Sequence, residues 1–312
     1  MKVAILDNVH PLFQQTFNNW GWESVLANKW SQNDFQKNIF KFDGIVIRSR
    51  LVLDKLNLSF AKNLKFIARP GSGLENIDLD YCNLNMIKVF RSPEGNRDAV
   101  AEHVIGMVLM LNKHLFRSNY EVRKSIWNRE SNRGSEIMGK TFAIIGYGYM
   151  GEALAKRLSG FGVNVIAYDK YKNDYSSSLT KQVTMDEVFK TADFVSLHTP
   201  LTSETIGMVN NGFISKFRKP FVLINSARGK SVVLKDLVEG LKSGKIAGAC
   251  LDVLDIESSS FEKVEVSKNE YFDSLINMDN VVLSPHIAGW SHESKLKMAE
   301  ILIYKIAKDF LN

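Results

Sequence analysis

The sequence predicts an α/β protein built on parallel sheets, and three observations predict it. Short apolar runs alternate with amphipathic stretches along most of the chain, as strands joined by crossover helices require. A glycine-rich turn follows one of the apolar runs directly and opens a helical pattern. The 312 residues, 45% apolar and 24% charged, are enough for two domains of ordinary globular composition, each with its own core.

In the first hundred residues, buried strands are expected over 3–6, 44–47, 66–68 and 88–90, with helices over 11–19 and 51–60. Val100, Val104, Met107, Val108, Leu111 and Leu115 recur at helical spacing, so 98–115 reads as a long helix buried on most of one face. The polar stretch 117–136, with Trp127 inside it, reads as an arm or loop between domains that covers a partner subunit. Alternation then resumes. Strands are expected over 141–145, 163–168, 194–197, 221–224, 247–253 and 281–283, with helices over 150–161, 185–190 and 234–242. Thr184 and Glu187 have capping-box spacing for the second of these helices. An amphipathic helix over 293–310 ends the chain, with no appended regulatory domain expected.

Composition excludes several function classes. No apolar run approaches the roughly 20 residues that cross a bilayer, and the start is too short in apolar residues for a secretory signal. Cys82 and Cys250 are too few for a disulfide framework and lack metal-ligand spacing, so no metal is expected. Cys250 lies in an apolar run and reads as a small buried hydrophobe; reducing cytosol is the expected compartment. The net charge of +6 is spread over scattered lysines without a basic block, which suits anionic small molecules rather than nucleic acid.

Gly146-Tyr147-Gly148-Tyr149-Met150-Gly151 fits the dinucleotide fingerprint GxGxxG. Alone the pattern is weak, but a strand enters it, a helix leaves it, and a second strand ends in Asp169, 18 residues after Gly151. Gly146 permits the tight turn, Gly148 the approach of pyrophosphate, and Gly151 close helix–strand packing. The helix start offers free N–H groups to phosphate. Asp169 would accept from the adenosine ribose hydroxyls and repel a 2′-phosphate, which favours NAD over NADP; Lys170 and Lys172 nearby act in the opposite sense.

Arg228, Glu257 and His286 each follow the carboxyl end of an expected strand, and in a parallel sheet those ends share one edge with the glycine turn. Oxidation of a secondary alcohol by hydride transfer needs a base for the hydroxyl proton, a role suited to His286. Glu257 on the other ring nitrogen would fix the tautomer, and Arg228 would grip a substrate carboxylate and polarise a keto oxygen. Singly, Glu257 also reads as a loop carboxylate and Arg228 as a helix cap; His10, His114 and His292 read as ordinary surface or core residues.

These residues, with Gly71-Ser72-Gly73-Leu74-Glu75-Asn76-Ile77-Asp78, Asn96, Ala99-Val100-Ala101-Glu102, His198-Thr199-Pro200-Leu201-Thr202, Leu251-Asp252-Val253 and Pro285-His286, resemble the D-isomer-specific 2-hydroxyacid dehydrogenase family over nearly the whole chain. The resemblance implies two Rossmann/flavodoxin-like doubly wound domains separated by a cleft. The substrate domain would be 1–97 plus 288–312 and the NAD-binding domain 98–287, in a homodimer. It implies that Val100, Tyr149, Met150, His198, Thr199, Pro200, Ala227 and Asp252 join the glycines at the cofactor, and that Ser72 and Gly73 offer N–H groups to the substrate carboxylate.

Arg48 and Arg69 are similar to cations of the phosphoglycerate-oxidising branch, where they would meet a phosphate; otherwise Arg48 and Arg50 are solvated loop charges. Arg129 would add to the site from a partner subunit. The sequence departs from the family pattern at Ser258, where proline is usual, in an insertion over 258–272, and at Trp290, where small residues are common. The competing readings are reduction of glyoxylate, hydroxypyruvate or another 2-keto acid, and a non-catalytic NAD-binding corepressor or scaffold.

Overall fold

The computed structural model describes residues 1–257 and 269–311. The described residues divide into two compact units, one holding 1–97 and 289–311, the other 98–257 and 269–288.

The first unit is a five-stranded parallel sheet of β1 (Lys2–Ile5), β2 (Glu23–Leu26), β3 (Gly44–Val46), β4 (Phe66–Arg69) and β5 (Lys88–Arg91), in the order β2-β1-β3-β4-β5. Strand alternation divides its apolar residues between two faces. Ala4, Ile45 and Ile67 pack with Phe35, Leu58 and Cys82 from helices on one side. Val3, Ile5, Val46 and Phe66 pack with Phe13, Phe17, Ala299, Leu302 and Ile306 on the other. The last three belong to the final helix His292–Phe310, which Ser291 and Ser294 open with a reciprocal capping box.

The second unit carries seven parallel strands: β6 (Thr141–Ile145), β7 (Asn164–Tyr168), β8 (Lys181–Gln182), β9 (Phe194–Leu197), β10 (Phe221–Asn225), β11 (Ile246–Leu251) and β12 (Val281–Leu283). Their order is β12-β11-β10-β9-β6-β7-β8, so the winding reverses between β6 and β9. A doubly wound sheet binds its ligand at the strand carboxyl ends beside such a reversal. The expected doubly wound α/β architecture is therefore present in both units.

Local departures have physical causes. Helix is confined to Lys55–Leu58 within the expected 51–60, because Leu53 is extended, bridges Ile77 and donates its N–H to the Asn76 carbonyl. Strand β2 is an edge strand with half-exposed side chains, so it has no apolar run to announce it. The helix expected over 98–115 runs from Pro93, which suits a first turn, to Asn112. Leu115–Arg123, partly inside the expected polar arm, is a helix after a left-handed His114, and it buries none of its residues. Within the expected insertion 258–272, only 269–272 are among the described residues, and Ser258 lies outside them. Both cysteines are buried free thiols; burial pushes Cys82 up to about 11 and Cys250 higher still, which suppresses thiolate chemistry. No helix among the described residues is long and apolar enough to cross a membrane.

Candidate active site

In the second unit the glycine turn stands where the winding reverses. Gly146 adopts φ +94°, and a Cβ there would press on the backbone of His198 and Thr199 after β9. A Cβ at Gly151 would collide with the Gly146 carbonyl, so neither position admits a side chain. Gly148 is the N-cap of helix Tyr149–Leu158 and makes no side-chain cap, leaving the helix N-terminus open to an anion. Tyr149 is exposed beside it and Met150 is partly buried.

Asp169 ends β7. Its Oδ2 accepts from Tyr147 N–H at 2.8 Å, and its Oδ1 from Tyr171 N–H at 2.9 Å and Lys172 N–H at 3.0 Å. These three bonds fix the carboxylate and leave about one of its roughly four acceptor positions open. Both neighbouring lysines are paired, Lys170 with Glu204 at 2.6 Å and Lys172 with Glu152.

After β9, the His198 ring turns to Ser196 Oγ at 2.8 Å, so it is the backbone of His198 that meets the glycine turn. The hydroxyls of Thr199 and Ser226 are buried without a hydrogen-bond partner among the described residues. Orphaned hydroxyls on the edge that carries the glycine turn fit a polar ligand such as a dinucleotide. Pro200 is exposed, its carbonyl accepting from Thr205; Val100 is buried in the unit's core.

The strand order also places Arg228, Glu257 and His286 along this edge. Asn225, Leu251 and Leu283 lie side by side at the ends of β10, β11 and β12, and the three residues follow them by three, six and three positions. Buried Asn225 braces the first turn, its side chain accepting from Ala227 N–H at 3.0 Å and donating to the Arg228 carbonyl at 2.9 Å. Arg228 Nη1 donates to the Ala227 carbonyl at 2.6 Å. A Cβ at Gly229 would collide with the Leu254 carbonyl, so glycine allows this turn to close on the loop leading to Glu257.

Glu257 and His286 meet directly. His286 Nδ1 lies 2.7 Å from Glu257 Oε2, while Glu257 Oε1 accepts from Leu254 N–H at 2.5 Å. The pair is largely sheltered, with side-chain exposures of 24% and 12%. A carboxylate only accepts, so Nδ1 carries the proton and Nε2 is left as the basic nitrogen. His286 holds a left-handed backbone at φ +55°, a strained conformation for a non-glycine residue. Asp252, 1% exposed, clamps that loop: its carboxylate accepts from Ile287 and Ala288 N–H at 2.8 Å each, and its carbonyl from His286 N–H at 2.8 Å. Among the described residues no cluster of His, Cys, Asp and Glu could hold a metal ion.

The first unit gathers its own group. Arg48 follows β3, and its guanidinium stacks on Trp290 at 4.4 Å. Burial lowers its affinity for its proton. Arg69, 9% exposed, folds under its own loop and donates to the Pro70 carbonyl at 3.3 Å. Ser72 is held by Asn96 at 3.2 Å and its carbonyl by Arg91 at 3.3 Å, which fixes the loop that carries Gly73. Arg50 is structural, binding Asp7 and the carbonyls of Leu6 and Trp30. Arg129 is exposed.

Residues 105–288 match the family described as D-isomer specific 2-hydroxyacid dehydrogenase, NAD binding domain. The chain belongs to the D-isomer-specific 2-hydroxyacid dehydrogenase family. It is, with that family, an NAD-dependent dehydrogenase. It is 33% identical to a hydroxypyruvate reductase of Thermotoga maritima, over 91% of this chain and 90% of that one. It is 32% identical to a D-3-phosphoglycerate dehydrogenase of Archaeoglobus fulgidus over its full length, but spans only 57% of that longer relative. A D-lactate dehydrogenase of Aquifex aeolicus, solved with NAD and lactic acid, superposes with a TM-score of 0.83 at 29% identity, covering 100% of this chain and 95% of that one.

In this dehydrogenase the His198 imidazole is kept neutral, its pKa pushed down to about 4 by burial. An unfolded histidine takes its proton near pH 6.5 and the folded one only near 4. The folded state is therefore at full advantage above 6.5 and loses up to about 3 kcal/mol as pH falls from 6.5 to 4. Urea unfolding of the parent and of His198→Asn should show a smaller acid loss in the variant. Equal losses would remove His198 as the cause.

Sequence reading missed Ser226, Ser284 and His103. Ser226 and Ser284 each stand two residues before Arg228 and His286 without a chemical signal of their own, and His103 is a polar position on a long helix.

Proposed function

We propose that the chain interconverts a short D-2-hydroxy acid and its 2-keto acid, with 3-phosphoglycerate and 3-phosphohydroxypyruvate as the preferred pair. Gly146, Gly148, Gly151, Tyr149, Met150, Asp169, Thr199, Pro200 and Ala227 would hold the dinucleotide, with Val100, His198 and Asp252 supporting them. When bound, NAD supplies the hydride acceptor for the alcohol carbon. His286 Nε2 takes the hydroxyl proton, and Glu257 stabilises the resulting imidazolium through Nδ1. Arg228 binds the carboxylate and, in the reverse direction, polarises the keto oxygen.

Charge near Asp169 favours NAD over NADP. Lys170 and Lys172 are neutralised by Glu204 and Glu152, so these five groups together carry one negative charge against a 2′-phosphate.

The observation that carries the phosphorylated substrate is the placing of two sheltered guanidinium groups, Arg48 just after β3 and Arg69 at the end of the neighbouring β4, before the Ser72–Gly73 loop. A dianion there would offset the cost of burying them. Hydroxypyruvate is the second reading, favoured because Trp290 covers one face of Arg48 and Arg69 is folded under its own loop. NADH and NADPH oxidation with phosphohydroxypyruvate, hydroxypyruvate, glyoxylate and pyruvate tests both. Phosphohydroxypyruvate with NADH should give the highest kcat/KM, and Arg48→Ala should raise its KM about 10-fold or more. Equal use of hydroxypyruvate, or no effect of Arg48→Ala, would transfer the assignment to the second reading.

The phosphorylated reading places the enzyme in serine biosynthesis in the cytoplasm. A homodimer through the second unit accords with Phe116, Tyr120, Val122 and Trp127, apolar or aromatic side chains that are each more than half exposed.

A further inference from the structure

His286 sits in a conformation that its own residue type disfavours, so something must hold it there. Left-handed backbone at a non-glycine residue persists only where the surroundings over-determine it. The Asp252 bonds to Ile287, Ala288 and His286 provide part of that hold.

A second arm reaches the same carboxylate from the helix Pro93–Asn112. Ser284 Oγ lies 2.6 Å from Asp252 Oδ1, and His103 Nε2 lies 2.8 Å from Ser284 Oγ. His103 Nε2 is 3.6 Å from Asp252 Oδ1, so the serine is the closer link between them. The chemistry gives the chain a direction. A carboxylate can only accept, so the serine hydroxyl donates to Asp252 and its oxygen must accept from His103. The Nε2 nitrogen therefore carries a proton. Ser284 also touches Met107 Sδ at 3.6 Å, which leaves it a second contact on the same helix.

We propose that His103 and Ser284 are positioning residues for the hydride-transfer reaction. By completing the hydrogen bonding of Asp252, they fix the 284–288 loop where the His286 ring meets Glu257. The side chains of both act through Asp252 rather than on the Glu257–His286 pair directly. Three features support this over a simple packing role. The chain ends on a carboxylate that is 1% exposed, where each lost partner is costly. Ser284 is two residues from His286, and its carbonyl also accepts the His286 N–H at 3.1 Å. The donor direction is set, so a side chain of similar reach that donates an N–H can replace His103, whereas an apolar one cannot.

The inference rests on His286 being the acid/base group, and the test separates the two. kcat, KM and NADH dissociation constants are measured for His103→Leu, His103→Gln, Ser284→Ala, the His103→Leu/Ser284→Ala double variant, and His286→Asn, with hydroxypyruvate and phosphohydroxypyruvate as substrates. His103→Leu and Ser284→Ala should each lower kcat about 10-fold, as loss of a bond feeding a charged group implies, with KM and NADH affinity within about 2-fold. His103→Gln should recover most of the loss. The double variant should be no worse than either single one, because both interrupt one chain. Parent-like kcat in His103→Leu, or additive losses in the double variant, would overturn the inference while leaving His286 in its role. Should His103→Leu fail to fold, Ser284→Ala and His103→Gln still decide: parent-like kcat in the first, or no better kcat in the second than in Ser284→Ala, would overturn it. Full turnover in His286→Asn would overturn the acid/base reading and this inference with it.

Discussion

His286→Asn should lower kcat by about 10²–10⁴-fold while leaving NADH affinity within about 2-fold, the loss expected when a positioned acid/base group is removed. Asparagine is chosen because it tolerates the left-handed backbone recorded at φ +55°, where alanine would add strain of its own. The carboxamide cannot exchange a proton, so the variant removes chemistry and keeps the loop. In oxidation the ring accepts the hydroxyl proton at Nε2 and in reduction it returns it, so the variant should lose both directions alike. Glu257→Gln keeps a hydrogen-bonding group near Nδ1 but removes the negative charge that stabilises the imidazolium formed during oxidation, so kcat should fall there too, by less than in His286→Asn. Steady-state rates in both directions, with cofactor binding followed by NADH fluorescence, would check all of this. Unchanged kcat in His286→Asn would show that the proton leaves by another route.

How much of this was legible follows from what sequence patterns record. Strands buried on both faces, such as β6, β9 and β10, appear as near-continuous apolar runs, and they are where the sequence placed them. The glycine turn was legible because its strand and helix neighbours carry the pattern with it. Edge strand β2 was not, since its half-exposed residues have no run to see. Likewise the short helix Leu79–Leu84 buries only Cys82, too little to mark a periodic face. The meeting of Glu257 and His286 could be inferred because both follow neighbouring parallel strands. His103 could not. It reaches Ser284 across 181 residues of sequence, by way of a helix whose packing only the folded sheet determines. The pairing of Lys170 and Lys172 was hidden for the same reason: Glu204 and Glu152 lie 34 and 20 residues away, on a loop and on the helix after the glycine turn.

Arg228→Gln should reduce kcat/KM for the keto acid by about 10²–10³-fold, comparable to removing a principal donor from a developing oxyanion. The surroundings are built to hold this side chain's backbone, with Asn225 bonded on both sides of the turn and Gly229 passing close against the Leu254 carbonyl. Substitution at Arg228 leaves those contacts in place, so NADH affinity and thermal stability should change little. Arg228→Lys separates charge from geometry. Lysine keeps the cation but loses the planar fork that meets a carboxylate with two parallel bonds, so it should recover only part of the loss, chiefly in KM. If lysine restores full kcat/KM, the group supplies charge alone. If glutamine matches the parent, Arg228 holds neither the carboxylate nor the keto oxygen.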